Sequence, residues 1–191
     1  MTQATPITLQ LIGHDLLLRA WQEEDAAGLH AAMRESHESI GRWLSWCRAD
    51  YSLDDAKAWI AHCREAWLAG GQFAFAVFDQ QDQLVGSVDI KQHDLRVPCG
   101  NVGYWMRASR QGEGLCTRAV AVLAEFGFER LGLQRLEILV VMENRASRRV
   151  AEKLGATLEG VARRRLQVDG RARDAAVYAL IAADDRVSGC A

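Results

Sequence analysis

The segment from 103 to 120, GYWMRASRQGEGLCTRAV, constrains the fold of this chain more than any other. It opens with a bulky run, 104–106, that is typical of a β-strand. A short polar turn and two glycines, Gly112 and Gly114, follow and lead into a helix. The apolar face of that helix is predicted to comprise Leu115, Ala119, Val122, Leu123 and Phe126. The segment therefore predicts a strand, a glycine loop and a helix in direct succession.

The glycine loop, residues 111–117, has the properties of a phosphate or pyrophosphate site. Gly112 and Gly114 lack a Cβ, so the backbone can bend sharply and approach a ligand closely. Backbone N–H groups at a helix N-terminus are unpaired and carry a positive partial charge. Four further residues present such groups here: Glu113, Leu115, Cys116 and Thr117.

On spacing alone, the glycine loop has another interpretation. The two glycines could simply form a turn before a surface helix. The loop is not a P-loop, because no Gly-Lys-Ser/Thr follows. It is also a poor dinucleotide fingerprint, since the third glycine of Gly-x-Gly-x-x-Gly would fall at Thr117.

Length and composition limit the class of protein. The 191 residues suffice for one domain with a substantial core, which we expect to span residues 1–191 with short flexible ends at about 1–10 and 184–191. A net charge of −2 argues against a general nucleic-acid binder. The opening MTQATP has no basic segment followed by an apolar one, so we predict neither a signal peptide nor a membrane span.

The five cysteines are scattered along the chain and show no Cys-x-x-Cys or Cys/His spacing. We therefore predict no metal site, and reduced thiols in a cytoplasmic protein. Cys116 allows two interpretations. Its place at a helix N-terminus would lower its thiol pKa and make it reactive, or it is simply a small packed residue.

Periodicity and turn residues predict the remaining elements. Acidic residues at 23–25 precede a helix through Met33, Ser52 caps a second helix that ends at Gly70, and a last helix ends near Leu154. The apolar run 136–141 predicts a strand buried on both faces. Other strands are predicted at 16–19, 73–78, 84–90, 101–107, 158–168 and 175–181. The class is thus mixed α/β, with antiparallel pairing among the middle strands.

Four segments together resemble one family. They are Gly103-Tyr104-Trp105 with the glycine loop, Asn144-Arg145-Ala146-Ser147 with the following 152–156, Leu158-Glu159-Gly160, and Trp43-Leu44-Ser45-Trp46. In order and spacing they resemble the Gcn5-related N-acetyltransferases, whose acetyl-CoA signature is Gln/Arg-x-x-Gly-x-Gly/Ala. Within that superfamily they are similar to the bacterial enzymes that acetylate the N-termini of ribosomal proteins, the serine-specific branch in particular. The resemblance covers about residues 16–181.

The resemblance implies a fold and a cosubstrate. The expected fold is a central mixed, mostly antiparallel sheet, splayed in the middle and flanked by helices. The expected cosubstrate is acetyl-CoA, its pantetheine pairing with a strand much as a peptide does. The residues expected to contact it are Tyr104, Trp105, Met106, Gln111, Gly112, Glu113, Gly114, Leu115, Cys116, Thr117, Asn144, Ser147 and Arg148. The family also suggests a homodimer.

Ser147 is the expected catalytic acid. It lies one helical turn beyond Asn144, and its hydroxyl could donate a proton to the sulfur as CoA leaves. In many relatives a tyrosine is the acid, four residues further on, but that position here is Ala151. The alternative is that Ser147 merely caps the helix. Arg148 and Lys153 could approach the CoA 3′-phosphate or face water.

The general base is not evident from the sequence. Relatives often carry Glu where this chain has Asn101, and the ribosomal-protein branch has a candidate Glu where this chain has Leu166. Asp89, His93 and Asp174 remain as titratable candidates, although a place on the surface or in a loop is the commoner role for such residues.

The missing base favours one class of acceptor. Deprotonating a lysine amine at pH 7 costs about 4–5 kcal/mol, whereas an α-amine with a pKa near ~8 costs only about 1 kcal/mol. We therefore expect transfer of acetyl to the α-amine of a protein or peptide. Alternatives are a small-molecule amine acetyltransferase used in detoxification and a non-catalytic acyl-CoA sensor.

The acceptor is expected to enter between the segment 43–46 and the loops near His93 and Asp169. Trp43, Trp46 and His93 are the predicted substrate-binding residues. The alternative for the two tryptophans is a packing cluster at a helix edge, which is a common use of tryptophan.

Overall fold

The computed structural model describes residues 9–91 and 96–182. Its strands are β1 (Gln10–Gly13), β2 (Leu16–Ala20), β3 (Gln72–Phe78), β4 (Leu84–Lys91), β5 (Cys99–Met106), β6 (Arg135–Val141), β7 (Thr157–Val168) and β8 (Arg171–Ile181). Its helices are α1 (Ala26–Ile40), α2 (Leu53–Leu68), α3 (Leu115–Glu129) and α4 (Arg145–Lys153). This confirms the mixed α/β class. The predicted flexible ends fall mostly outside the described residues, except that Gln10 opens β1.

The strands form one eight-stranded sheet in the order β1-β2-β3-β4-β5-β6-β8-β7. Neighbouring strands run antiparallel, with the exception of the parallel pair β5 and β6. The register of that pair covers only three positions, from Cys99 opposite Arg135 to Asn101 opposite Glu137. Beyond them the strands diverge, which confirms the sheet splayed in the middle.

Each face of the sheet carries its own apolar core, because successive strand residues point to opposite faces. Helix α3 covers one face, and all five residues of its predicted apolar face are buried. Helices α1 and α2 cover the other face, where the core includes Trp21, Leu29 and Trp105. No helix in residues 9–91 and 96–182 combines the length and the apolar character needed to cross a membrane.

Helix α2 begins and ends where the sequence predicts. The Ser52 side chain accepts a hydrogen bond from the Asp55 backbone N–H at 3.1 Å, and the Asp55 carboxylate accepts one from the Ser52 N–H at 2.8 Å. This reciprocal pair satisfies two of the N–H groups that a helix start leaves unpaired. After the last turn, Gly70 has a positive φ of 72°, as a residue just beyond a helix C-terminus often has.

One expectation for the sheet was wrong, and one strand was not predicted. Strand β6 is not buried on both faces: Leu136, Ile138 and Val140 are buried, whereas Leu139 between them is half-buried. The reason is that β6 lies at the splay, where one face meets the α3 core and the other faces an opening. Strand β1 was not predicted, because four residues with an exposed or half-buried pattern carry little periodic signal.

Candidate active site

The divergence of β5 from β6 opens a cavity of about 560 Å³, a size typical of small-molecule sites. From Val102 to Met106, β5 pairs with β4 on one side, and on the other side it faces this cavity. Strand β6, in turn, pairs with β8 over this stretch. The backbone groups along this edge of β5 are therefore placed where an extended ligand can pair with them.

The glycine loop lies at one end of the cavity. Gly112 and Gly114 have φ values of 86° and 76°, a left-handed conformation that glycine adopts without strain. Gly114 is the N-cap of α3, and no side chain in the described part of the chain caps the backbone N–H groups there. This uncapped helix start fits an anion such as a diphosphate. Of the loop residues, Gln111, Gly112, Gly114, Leu115, Cys116 and Thr117 line the cavity.

Hydrogen bonds hold the backbone before the glycine loop in place. The Glu35 carboxylate on α1 accepts from Arg107 Nε at 2.5 Å and from the Ser109 N–H at 2.8 Å. Burial raises the pKa of Glu35, but these hydrogen bonds outweigh burial, and the pKa lies below its ordinary value. Arg110 Nη1 donates to Asp79 at 2.5 Å. The loop is thus anchored to α1 and to the turn between β3 and β4.

Of the predicted loop contacts, Glu113 lies away from the cavity, whereas Cys116 lines it. Glu113 is not among the cavity residues, and its carboxylate accepts from Arg110 at 3.2 Å. Cys116 does line the cavity, yet burial raises the pKa of its thiol to about 12. The cause is desolvation, which disfavours the thiolate. The packed interpretation of Cys116 is therefore the better one.

The start of α4 forms the opposite wall of the cavity and brings Ser147 to it. Asn144 is the N-cap, and its Oδ1 accepts from the Ser147 backbone N–H at 3.1 Å. The alternative that Ser147 itself caps the helix is therefore wrong. Its Oγ instead lies 2.9 Å from the Tyr104 hydroxyl of β5, which also donates to the Ser147 carbonyl at 3.0 Å. Asn144, Ser147 and Tyr104 all line the cavity.

The cations of α4 are arranged differently from the prediction. Arg148 is not among the cavity residues, and its Nε donates to the Tyr178 hydroxyl at 3.2 Å. Lys153 lines the cavity, which agrees with one of the two alternatives given for it, and Arg149 lines the cavity as well. Arg149 was not predicted, although its spacing of four residues from Lys153 places both on one helix face.

Only some of the residues predicted to bind the acceptor line the cavity. Trp43 lines the cavity, whereas Trp46 stacks on Trp59 with ring centroids 6.0 Å apart and its exposed fraction is 37%. His93 lies outside the described residues. Trp105 and Met106, predicted to contact the cosubstrate, line the cavity.

No carboxylate lines this cavity among the described residues. Its charged side chains are the cations Arg110, Arg149 and Lys153. Asn101 and Leu166, which stand where relatives carry Glu, both line it. Elsewhere, Asp174 accepts from the Arg164 backbone N–H at 2.8 Å. In the ranges 9–91 and 96–182, no cluster of His, Cys, Asp or Glu could hold a metal ion.

Asp89 lies behind the wall of the cavity. Its Oδ1 occupies space beside Gly103, where an added Cβ would approach it to 2.3 Å. Its Oδ2 accepts from Gln72 Nε2 at 3.0 Å, and Lys91 Nζ lies 3.8 Å away. Burial raises the pKa of Asp89 in spite of both partners.

Comparison with known proteins identifies the family to which this site belongs. Residues 15–157 match the model of the acetyltransferase (GNAT) domain. The chain belongs to the GNAT family of acetyltransferases. It is 30% identical to the "probable N-acetyltransferase YjcK" of Bacillus subtilis over 173 residues, which cover 88% of this chain and 93% of that protein. The family membership confirms the resemblance seen in the sequence and makes the chain an acyltransferase.

Solved structures of GNAT proteins share the fold. A "putative ribosomal-protein-serine acetyltransferase" from Vibrio cholerae superposes with a TM-score of 0.82 at 30% identity, covering 93% of this chain and 100% of that one. Mycobacterium smegmatis RimJ, solved in complex with CoA-disulfide, superposes with a TM-score of 0.81 at 25% identity, covering 91% and 86%. The chain is thus related to ribosomal-protein acetyltransferases.

Proposed function

We propose that this enzyme transfers the acetyl group of acetyl-CoA directly to the N-terminal α-amine of a protein, such as a ribosomal protein, in the cytoplasm. The observation that carries the proposal is the charge of the cavity: cations line it, and no described carboxylate does. The cations and the uncapped start of α3 suit the phosphates of CoA. The RimJ structure with a CoA group supports the choice of cosubstrate.

The lack of a lining carboxylate bears on the acceptor. A lysine amine, with a pKa near ~10.4, needs a strong base to lose its proton at neutral pH, whereas an α-amine with a pKa near ~8 does not. Water can carry away the proton of an α-amine. The relation to ribosomal-protein acetyltransferases points to a protein acceptor as well.

The chemical step needs few groups from the protein. The amine nitrogen attacks the thioester carbonyl carbon, a C–N bond forms, and the C–S bond breaks with its electron pair on sulfur. Ser147 gives its hydroxyl proton to the sulfur, and the proton lost by the nitrogen returns to Ser147 directly or through water. Backbone N–H groups of β5 polarise the carbonyl, and the cavity positions the amine; both effects lower the barrier.

Mass spectrometry tests the acceptor. The purified protein is incubated with acetyl-CoA and three acceptors: a peptide with a free N-terminus, the same peptide with a blocked N-terminus and an internal lysine, and spermidine. We expect acetylation of the first alone. Acetylation only of lysine or of spermidine would overturn the proposal. Comparing protein N-termini in cells with and without the gene would then name the natural acceptor.

A further inference from the structure

The side chain of Ser147 has one hydrogen-bonding partner in the described part of the chain, the hydroxyl of Tyr104 at 2.9 Å. The two residues come from different elements, β5 and α4, and both line the cavity. Tyr104 was expected to contribute only backbone groups to the cosubstrate. Its hydroxyl instead lies across the gap between β5 and α4, against the residue proposed as the acid.

We infer that Tyr104 is a positioning residue: it shares its one hydroxyl proton between the Ser147 carbonyl and Ser147 Oγ, and this leaves the serine proton directed into the cavity. The inference rests on the proposed role of Ser147. A serine hydroxyl has one proton to donate and two lone pairs that accept. Because Tyr104 has a single proton, its contacts with the Ser147 carbonyl and with Oγ form a three-centre hydrogen bond. With one lone pair of Oγ engaged in this way, the serine proton remains for the departing sulfur.

The local structure of α4 supports this arrangement. Near a helix start, a serine hydroxyl commonly caps a backbone N–H or bonds a carbonyl in its own turn. Here the Asn144 side chain already accepts from the Ser147 N–H, and Tyr104 donates to the Ser147 carbonyl at 3.0 Å. The Ser147 Oγ is therefore not needed as a cap. Burial raises the pKa of Tyr104, so its hydroxyl stays protonated and able to donate.

The proton balance involves no net change in Tyr104. The serine proton goes to sulfur, and the proton released by the amine nitrogen restores the serine. Tyr104 keeps its proton throughout and only shifts the strength and direction of its hydrogen bond. Its hydroxyl also stabilises the Ser147 oxygen while that oxygen is short of a proton, since a hydrogen bond to a charged oxygen is stronger than one to a neutral oxygen.

The test compares Tyr104→Phe, Ser147→Ala and the double variant, using whichever amine the wild-type enzyme acetylates. We expect Ser147→Ala to lower kcat about 100-fold and Tyr104→Phe about tenfold, with KM for acetyl-CoA changed by less than about twofold. In the double variant, kcat should equal that of Ser147→Ala, because Tyr104 acts through Ser147. Tyr51→Phe removes a buried hydroxyl outside the site and should leave kcat unchanged.

Three outcomes would overturn the inference. They are an unchanged kcat in Tyr104→Phe, a further loss of kcat when Tyr104→Phe is added to Ser147→Ala, and a loss that appears only in KM. Incorporation of 3-fluorotyrosine at 104 separates the hydroxyl from packing: it keeps the hydroxyl, so kcat should stay near wild type. An equal loss in both Tyr104 variants would assign the effect to packing.

The inference and the proposed function can fail separately. An enzyme that acetylates lysine or spermidine rejects the α-amine acceptor, yet the Tyr104 comparison can still be made with that amine. An unchanged kcat in Ser147→Ala rejects Ser147 as the acid and Tyr104 with it. A large loss in Ser147→Ala with none in Tyr104→Phe rejects Tyr104 alone.

Discussion

At the scale of single residues, the conformation of Gly114 links the backbone to ligand binding. Its φ of 76° is left-handed, a region that costs a non-glycine residue about 1–2 kcal/mol. We expect Gly114→Ala to lower the free energy of unfolding by about 1 kcal/mol and to weaken acetyl-CoA binding about tenfold, because the N–H groups at the start of α3 would shift. Calorimetry and urea unfolding measure both quantities.

Gly132→Ala provides the matched control for Gly114. Gly132 has a φ of 66° in the turn between α3 and β6, and an added Cβ would meet nothing within 4 Å. Gly132→Ala should therefore lower the free energy of unfolding by a similar amount and leave the affinity for acetyl-CoA unchanged. Equal affinities in wild type and Gly114→Ala would show that the start of α3 does not hold the cosubstrate.

Cys116 shows at the same scale how burial distinguishes the two interpretations that the sequence allows for this residue. A helix N-terminus lowers a thiol pKa, but burial raises that of Cys116 from an ordinary 9.0 to about 12. We expect iodoacetamide at pH 8 to alkylate Cys116 at least about 100-fold more slowly in the native protein than in urea, since little thiolate is present. Peptide mass mapping over time measures the two rates. Fast alkylation of the native thiol would mean that the helix N-terminus dominates.

At the scale of elements, the cap of α4 combines a structural and a binding role. Asn144 accepts from the Ser147 N–H, so Asn144→Ala should lower the free energy of unfolding by about 1 kcal/mol. It should also reduce kcat, because Ser147 would lose its fixed position. Ser52→Ala removes the cap of α2 at a similar cost and should leave kcat unchanged. Urea unfolding measures the stability of both variants, and the rate of CoA release measures their kcat. An equal loss of kcat in Asn144→Ala and Ser52→Ala would contradict the role given to Asn144.

The link between α1 and the backbone before the glycine loop predicts a pH dependence. The pKa of Glu35 lies below its ordinary 4.5, because its hydrogen bonds with Ser109 and Arg107 outweigh burial. A lowered pKa in the folded state contributes stability that is full above the ordinary value and is lost as the pH falls through the lowered one. Glu35→Gln should therefore destabilise the protein at pH 7 and much less at pH 3. Urea unfolding at both values measures this, and an equal loss at both would contradict the assignment.

Local patterns predicted most elements, and long-range packing accounts for what they missed. The strand at 104–106, the glycine loop and the apolar face of α3 each depend on neighbouring residues, so the sequence was sufficient to predict them. One side of β6 is only half-buried because β6 diverges from β5. No local sequence pattern predicts that divergence. The contact between Tyr104 and Ser147 joins residues 43 positions apart, and likewise appears only once β5 and α4 are packed.

At the scale of the whole molecule, the site lies where two parts of the sheet meet. One part contains β1 to β5 with α1, α2 and α3, and the other contains β6 to β8 with α4. Between β5 and β6 they share three residue pairs, and the cavity occupies the gap beyond. A ligand in the cavity contacts both parts, so binding should stabilise the junction as well as the loop.

Acetyl-CoA should therefore raise the melting temperature substantially. At 100 times its Kd, a ligand stabilises the native state by about 2.7 kcal/mol. For a chain of this size, that corresponds to a rise of about 5–10 °C. The fragment adenosine 3′,5′-bisphosphate lacks pantetheine, so it can occupy the phosphate end of the cavity without lying along β5. At the same multiple of its own Kd, it should give the same rise but much less protection of the β5 and β6 amides from hydrogen exchange. Equal protection by both ligands would show that pantetheine does not occupy the gap.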